Sequence, residues 1–254
     1  MKNVRRIASA LAVVALSSAA PSAQTPQPPA APAPMSQQQI NEEMLKELRQ
    51  IRQLLERLTA PQQAPAPPQP TTATVTNLKG YVLGRPDAPL TMVEFTDLQC
   101  PFCRQYISTA FEDIKKNWID TGKLRYISRD FPLDFHPQAM NAARAARCSG
   151  EQGKFWEMRL ALMKNANLLS PDYITKTAAD LKLDPKAFAA CTATTKYDAE
   201  IQAEQAEGAK IGVGGTPTFV IGRTTATSVQ GPMIVGAMPY SVFDAKLKEV
   251  LGAK

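Results

Sequence analysis

One histidine, His136, stands in 254 residues, and the four cysteines include only one close pair. A histidine-built metal centre finds no partners in such a chain. A four-cysteine zinc ribbon also fits poorly, because Cys148 and Cys191 do not supply the second close pair that such sites use. His136 precedes Pro137 near a helix start, where a satisfied structural role is the plainer reading. Charge of one sign is scarce as well. Of the formal +6, Lys2, Arg5 and Arg6 supply three, so the remainder carries about +3, too little to argue for nucleic acid. Internal repeats are absent. The apolar run from Ile7 to Leu16 is too short for a comfortable membrane span.

What is present divides along the chain. Residues 1–23 read as a secretory signal: a basic start, the short apolar run, then small residues. The alternative is an uncleaved anchor. Export implies a periplasmic or secreted location, where disulfides form and persist, and all four cysteines lie beyond the signal. Residues 24–34 and 61–74 are linker in composition, rich in Pro, Ala and Gln over most of their length. Between them, residues 35–60 place Met44, Leu48, Ile51, Leu55 and Leu58 at steps of four and three, the stripe of a short heptad-like helix. An isolated helix of that length is marginal in water. Self-association through residues 37–58 would bury the stripe, as would docking on the chain's own folded domain; the alternative is that the helix frays.

From residue 75 to 254 the pattern is mixed α/β. Strands are expected at Leu90 to Phe95, Leu124 to Arg129, Thr218 to Ile221 and Met233 to Val235. A helical block, at about 135–212, separates the second from the third. Ser170-Pro171 and Asp184-Pro185 each place a capping side chain before a proline at the first helical position. Pro239 opens a last helix carrying Val242, Phe243, Leu247 and Val250.

The chemistry concentrates in Cys100-Pro101-Phe102-Cys103. A β-rich run precedes it, and Ile107, Phe111, Ile114 and Trp118 continue with helical spacing. Cys100 therefore falls at a helix start, where unpaired N–H groups and the helix dipole favour a thiolate. It is the candidate nucleophile. Cys103, one turn inward, is the candidate resolving thiol that attacks a mixed disulfide. Taken alone, Cys-x-x-C is equally half a zinc site.

Glu94, the Cys-Pro-Phe-Cys motif, the helical insertion and Gly214-Gly215-Thr216-Pro217-Thr218-Phe219 occur in that order. Together they resemble the DsbA-like branch of the thioredoxin superfamily over roughly residues 75 to 252. The resemblance implies a thioredoxin fold with an inserted helical subdomain, preceded here by a separate N-terminal helix. It implies thiol-disulfide exchange with exported cysteine-containing proteins, without a bound cofactor. A DsbB-like membrane partner would recharge an oxidase; a DsbD-like one would keep an isomerase or reductase reduced. Glu94 matches the acidic residue beneath the disulfide, a proton carrier for Cys103 if burial raises its pKa; an ordinary edge-of-strand acid is the alternative. Pro217 matches the cis-proline facing the active site, which exposes the backbone of Thr216 to an extended substrate segment.

Pro101 and Phe102 occupy the positions that tune the pair. Phe102 replaces the histidine of the best-known DsbA proteins, and a phenyl ring cannot donate to the thiolate. A weaker oxidant is the expectation. Thr216 looks more like the isomerases, so an oligomeric disulfide isomerase or reductase stands beside the oxidase reading. A redox-inactive chaperone or scaffold is the non-enzymatic alternative. The resemblance also implies a structural disulfide between Cys148 and Cys191; two buried thiols would be the alternative.

Overall fold

The computed structural model describes residues 36–59 and 71–252. The signal expected at 1–23, the linker at 24–34 and most of the linker at 61–74 lie outside the described residues. The chain divides into two units, 1–64 and 65–254. In the first, helix α1 spans Gln37–Thr59. Its apolar side chains Met44, Leu48 and Ile51 each expose about half their surface.

The second unit is built on one six-stranded sheet of order β1-β6-β5-β3-β4-β2. The strands are β1 (Thr72–Val75), β2 (Tyr81–Leu83), β3 (Leu90–Thr96), β4 (Leu124–Asp130), β5 (Thr218–Arg223) and β6 (Val229–Val235). β3 and β4 run parallel, whereas β5 lies antiparallel on the other side of β3. The remaining pairings are antiparallel as well. The linker expected to reach residue 74 therefore ends sooner. Thr72–Val75, rich in β-branched side chains, pairs with β6 and closes that edge.

Alternation along β3 sends its residues to two cores. Leu90 and Met92 join Phe219, Ile221 and Tyr126 in the larger one. Val93 and Phe95 pack with Ile127, Phe131 and Val220 in the smaller one on the opposite face. Glu94 shares the parity of Met92, so its side chain is delivered to the larger core, the one that also contains Cys103. It sits in the middle of a central strand and is fully buried, which removes the edge-of-strand alternative.

After β3 the chain turns into α2 (Pro101–Tyr106) and continues through α3 (Glu112–Ile114), with wider π-helical turns at Ile107–Phe111 and Lys115–Ile119. Ile107, Phe111, Ile114 and Trp118 all point into the larger core. Between β4 and β5 come α4 (Ala139–Gly150), α5 (Phe155–Lys164), α6 (Pro171–Asp180), α7 (Pro185–Thr192) and α8 (Asp198–Lys210). Ser170 and Asp184 cap α6 and α7, accepting from the N–H groups of Tyr173 and Ala187 at 3.1 and 2.7 Å. Each such cap contributes about 1 kcal/mol. Helix α9 (Tyr240–Gly252) returns beneath the sheet, where Phe243 meets Tyr106 and Phe219.

Cys148 of α4 and Cys191 of α7 are bonded, with Cα atoms 5.8 Å apart. The bond ties together helices 43 residues apart in sequence. Contact forces glycine at two positions of the β5–β6 hairpin, Gly222 and Gly231. A Cβ on Gly231 of β6 would lie 1.9 Å from the carbonyl oxygen of Ile221 in β5, so only glycine fits where these strands meet. Among the described residues no helix is long and apolar enough to cross a membrane.

Candidate active site

Cys100 is the N-cap of α2, with extended φ and ψ, and Pro101 occupies the first helical turn. Proline has no N–H to leave unsatisfied there, which is why this sequence starts a helix at this point. Cys100 lines a cavity of about 440 Å³ whose walls include Phe102, Phe135, His136, Thr216 and Pro217. Cys103 is completely buried one turn behind it. Both are free thiols.

The two sulfurs are electrostatically unequal. The Cys103 thiol donates to Cys100 and, outweighing burial, brings the Cys100 pKa down to about 6; Thr216 and the N–H groups of Cys103 and Phe102 act in the same direction. Burial pushes the Cys103 thiol well above the ordinary range, and the Cys100 sulfur and the Glu94 charge add to that push. A nucleophile ionised at neutral pH is thus backed by a partner that keeps its proton, the inequality that stepwise exchange requires.

Opposite the thiols, the Thr216-Pro217 peptide bond is cis. The Thr216 carbonyl faces Cys100, whose thiol donates to it at 3.4 Å. This contact exists because β5 is antiparallel to β3, with Phe95 opposite Thr218. The C-terminal end of one strand and the entry to the other therefore meet.

Beneath the pair, Glu94 is held by the guanidinium of Arg159 and by the hydroxyl of Tyr126. Both charged side chains are 0% exposed. From this position the Glu94 charge adds to the upward push on the Cys103 thiol. Arg159 escaped the sequence reading altogether. The available signal was its place between Phe155 and Met163, four residues from each on the inward face of α5, where all three are buried.

His136 has the structural partner expected of it, but also an unexpected position. Its Nδ1 lies 2.7 Å from Oδ2 of the buried Asp97, and its ring forms part of the cavity wall with Cys100. Asp97 also accepts from the N–H groups of Gln99 and Leu133 at 2.7 and 2.9 Å. Phe102 and Phe135 expose 60% and 75% of their surfaces at the cavity mouth. Cys148 and Cys191 are not brought to this site. A second cavity, of about 460 Å³, lies between α6 and α7 and is lined by residues such as Ala178, Leu183 and Phe188, with the hydroxyls of Thr175 and Thr192 and no charged side chain among its lining residues.

A thioredoxin-type sheet carrying a Cys-x-x-C at a helix N-terminus, faced by a cis-proline, defines a class: dithiol proteins built for disulfide chemistry. The comparisons with known proteins narrow it. A family model described as Thioredoxin matches residues 76–232, and the chain belongs to that family. The crystal structure of Wolbachia pipientis alpha-DsbA1 superposes with a TM-score of 0.61 at 26% identity, covering 67% of this chain and 90% of that one. BdbD from Bacillus subtilis, in its oxidised form, superposes with a TM-score of 0.60 at 21% identity, covering 71% of this chain and all of that one, a likeness of fold. The helical insertion is thus the DsbA form of the fold. In sequence, the chain is 35% identical over 169 residues to the Na(+)/H(+) antiporter NhaA 3 of Salinispora tropica. That match takes in 66% of this chain and 25% of the relative, so the chain spans about a quarter of the curated relative's length.

Proposed function

We propose that this protein is an exported thiol-disulfide oxidoreductase, working in the periplasm on secreted proteins that contain cysteines. The observation that carries the reading is the inequality of the two thiols, Cys100 lowered to about 6 and Cys103 raised, at a cavity faced by Thr216 and Pro217. In the reducing direction the Cys100 thiolate attacks a substrate disulfide, and one substrate sulfur leaves with the electron pair. Cys103 then loses its proton and attacks Cys100, releasing the second substrate sulfur. Two electrons pass to the substrate from the pair, with one proton from Cys103 and one from solvent, and Cys100 and Cys103 become the disulfide. The oxidising direction reverses each step. Thr216 supplies backbone pairing for an extended substrate segment, and Pro101 and Phe102 set the poise of the pair.

A DsbB-like partner would restore the oxidised state and a DsbD-like partner the reduced one. Thr216 and Phe102 support the isomerase or reductase direction, and self-association through residues 37–58 would set two such sites facing a shared substrate. Replacement of Cys100 by Ala tests the reading. Insulin reduction and rearrangement of scrambled substrates should fall by at least ~10³-fold with folding intact, as expected when a covalent nucleophile is removed. Retained cellular function would instead favour the scaffold. Trapping the thiols in living cells gives the direction: mainly oxidised for an oxidase, mainly reduced for an isomerase or reductase.

A further inference from the structure

The apolar cavity poses a problem for the oxidising direction. A substrate enters as a thiol and must attack as a thiolate, yet Phe102, Phe135 and Pro217 surround it with low-dielectric walls that raise a thiol's pKa. In the oxidised protein Cys100 is in a disulfide and cannot act as a base. Among the cavity's lining residues that leaves a single titratable side chain, His136.

Its setting suits the task. The Asp97 carboxylate, 0% exposed, accepts from Nδ1 at 2.7 Å, so the neutral ring carries its proton on Nδ1. Nε2, on the opposite edge, is left with a free lone pair. The same buried carboxylate supplies the counter-charge when the ring becomes imidazolium. Asp97 is itself fixed by the N–H groups of Gln99 and Leu133, and the side chain of His136 keeps 16% of its surface exposed, a route by which the proton exits. The titratable groups that share the ring's hydrogen bond, cavity or loop are Asp97, Cys100 and the exposed Asp134.

The geometry points to His136 as a catalytic base for the incoming substrate thiol, with Asp97 as its positioning residue; this deepens the thiol-exchange reading and rests on it. The substrate S–H proton passes to Nε2. The thiolate forms a new S–S bond with Cys100, and the Cys100–Cys103 bond breaks with its electron pair on Cys103, which takes up a proton. A second substrate thiol displaces Cys100 from the mixed disulfide. The substrate gives up two electrons to the cysteine pair. Of its two protons, one ends on Cys103 and one in solvent.

The test uses the full-length oxidised chain and a one-cysteine peptide of ordinary thiol pKa, with mixed-disulfide formation followed by rapid acid quench and mass between pH 6 and 9. Wild type should react about 10-fold faster than H136Q near pH 6.5. The two should converge to within about 2-fold at pH 9, where the peptide thiol ionises without help. A wild-type to H136Q ratio that stays constant across this range would assign His136 a structural role and overturn the inference. Should H136Q not fold, wild type alone decides: a rate strictly proportional to the peptide's thiolate fraction overturns it, and a shallower rise supports it. Absence of mixed disulfide in wild type at every pH is a different failure, that of the exchange reading itself.

Discussion

Two cysteine pairs share this unit and have opposite surroundings. At Cys100 the neighbours include, beside the Thr216 carbonyl, a set of donors: the Cys103 thiol and the N–H groups at the start of α2 stabilise negative charge on sulfur. At the other pair, Cys148 is buried in α4, and the sulfur of Cys191 lies 3.2 Å from the Glu151 carboxylate. That sulfur is bonded and has no proton to donate, so what faces it is an acceptor oxygen already paired with Lys196 Nζ at 2.8 Å and with the Tyr197 hydroxyl at 2.7 Å. The lesson is that a disulfide's availability for exchange follows from the polar groups aimed at it. One pair sits over an ion pair and opens on a cavity; the other joins two helices 43 residues apart.

The comparison can be broken most severely from beneath the reactive pair. Arg159→Met should destabilise the fold by about 3–5 kcal/mol in denaturant titration, because Glu94 is left as an unpaired buried charge. The double variant Glu94→Gln with Arg159→Met should recover much of that loss. The second pair should matter for stability and little for chemistry. Replacing Cys148 and Cys191 together by alanine should cost at most about 4 kcal/mol from loop entropy, with exchange at Cys100 retained per folded molecule. Loss of exchange in that variant would mean the two pairs are functionally coupled.

A smaller effect sharpens the electrostatic half of the comparison. Alkylation of Cys100 against pH should show a midpoint near 6 in the reduced protein. Cys103→Ala removes the main donor and should raise it by about one unit or more. The sign for stability follows from a depressed folded pKa. The Cys100 contribution to the reduced fold grows as pH rises above about 6 and is complete above the unfolded thiol value of about 8.5, where the raised Cys103 begins to oppose it; it is lost as pH falls through the folded value. The smallest effect belongs to the structural pair. Glu151→Gln, which removes a carboxylate and frees the ammonium of Lys196 paired with it, should speed reduction of Cys148–Cys191 by dithiothreitol by no more than about 2-fold, the size expected for exposed charges.

Much of this was legible in the residues. Strands β3, β4 and β5 announce themselves through β-branched and aromatic runs, and the Ser170-Pro171 and Asp184-Pro185 signals mark real helix starts; of β6 only Met233 to Val235 was expected, because Gly231 and Pro232 interrupt a strand that begins at Val229. β1 and β2 were not, being four and three residues long, too short for alternation to register; they are strands because a neighbour's free edge is there to pair with. The motif identified Cys100 and Cys103, but nothing local to Arg159 or His136 states that one lies beneath the dithiol and the other beside it. Arg159 is carried to Glu94 from 65 residues away, and His136 to Asp97 from 39. Such meetings are properties of the sheet and of the insertion packed on it. The fate of Glu94 turns on the same point, since its pairing is set by a helix the motif does not include.

Gly231 shows how far the specification of the site extends from its sulfur atoms. A neighbouring side chain cannot take its place against Ile221, so β6 is denied any register but its own on β5. β6 ends in Val235, and that residue and Gly236 line the cavity beside Cys100. A slip of one residue would advance that wall by about 3.4 Å and reverse which side chains face inward. A missing methyl group in the hairpin thereby serves as the alignment mark for the surface a substrate meets, and a library randomised at position 231 and selected for exchange should return glycine.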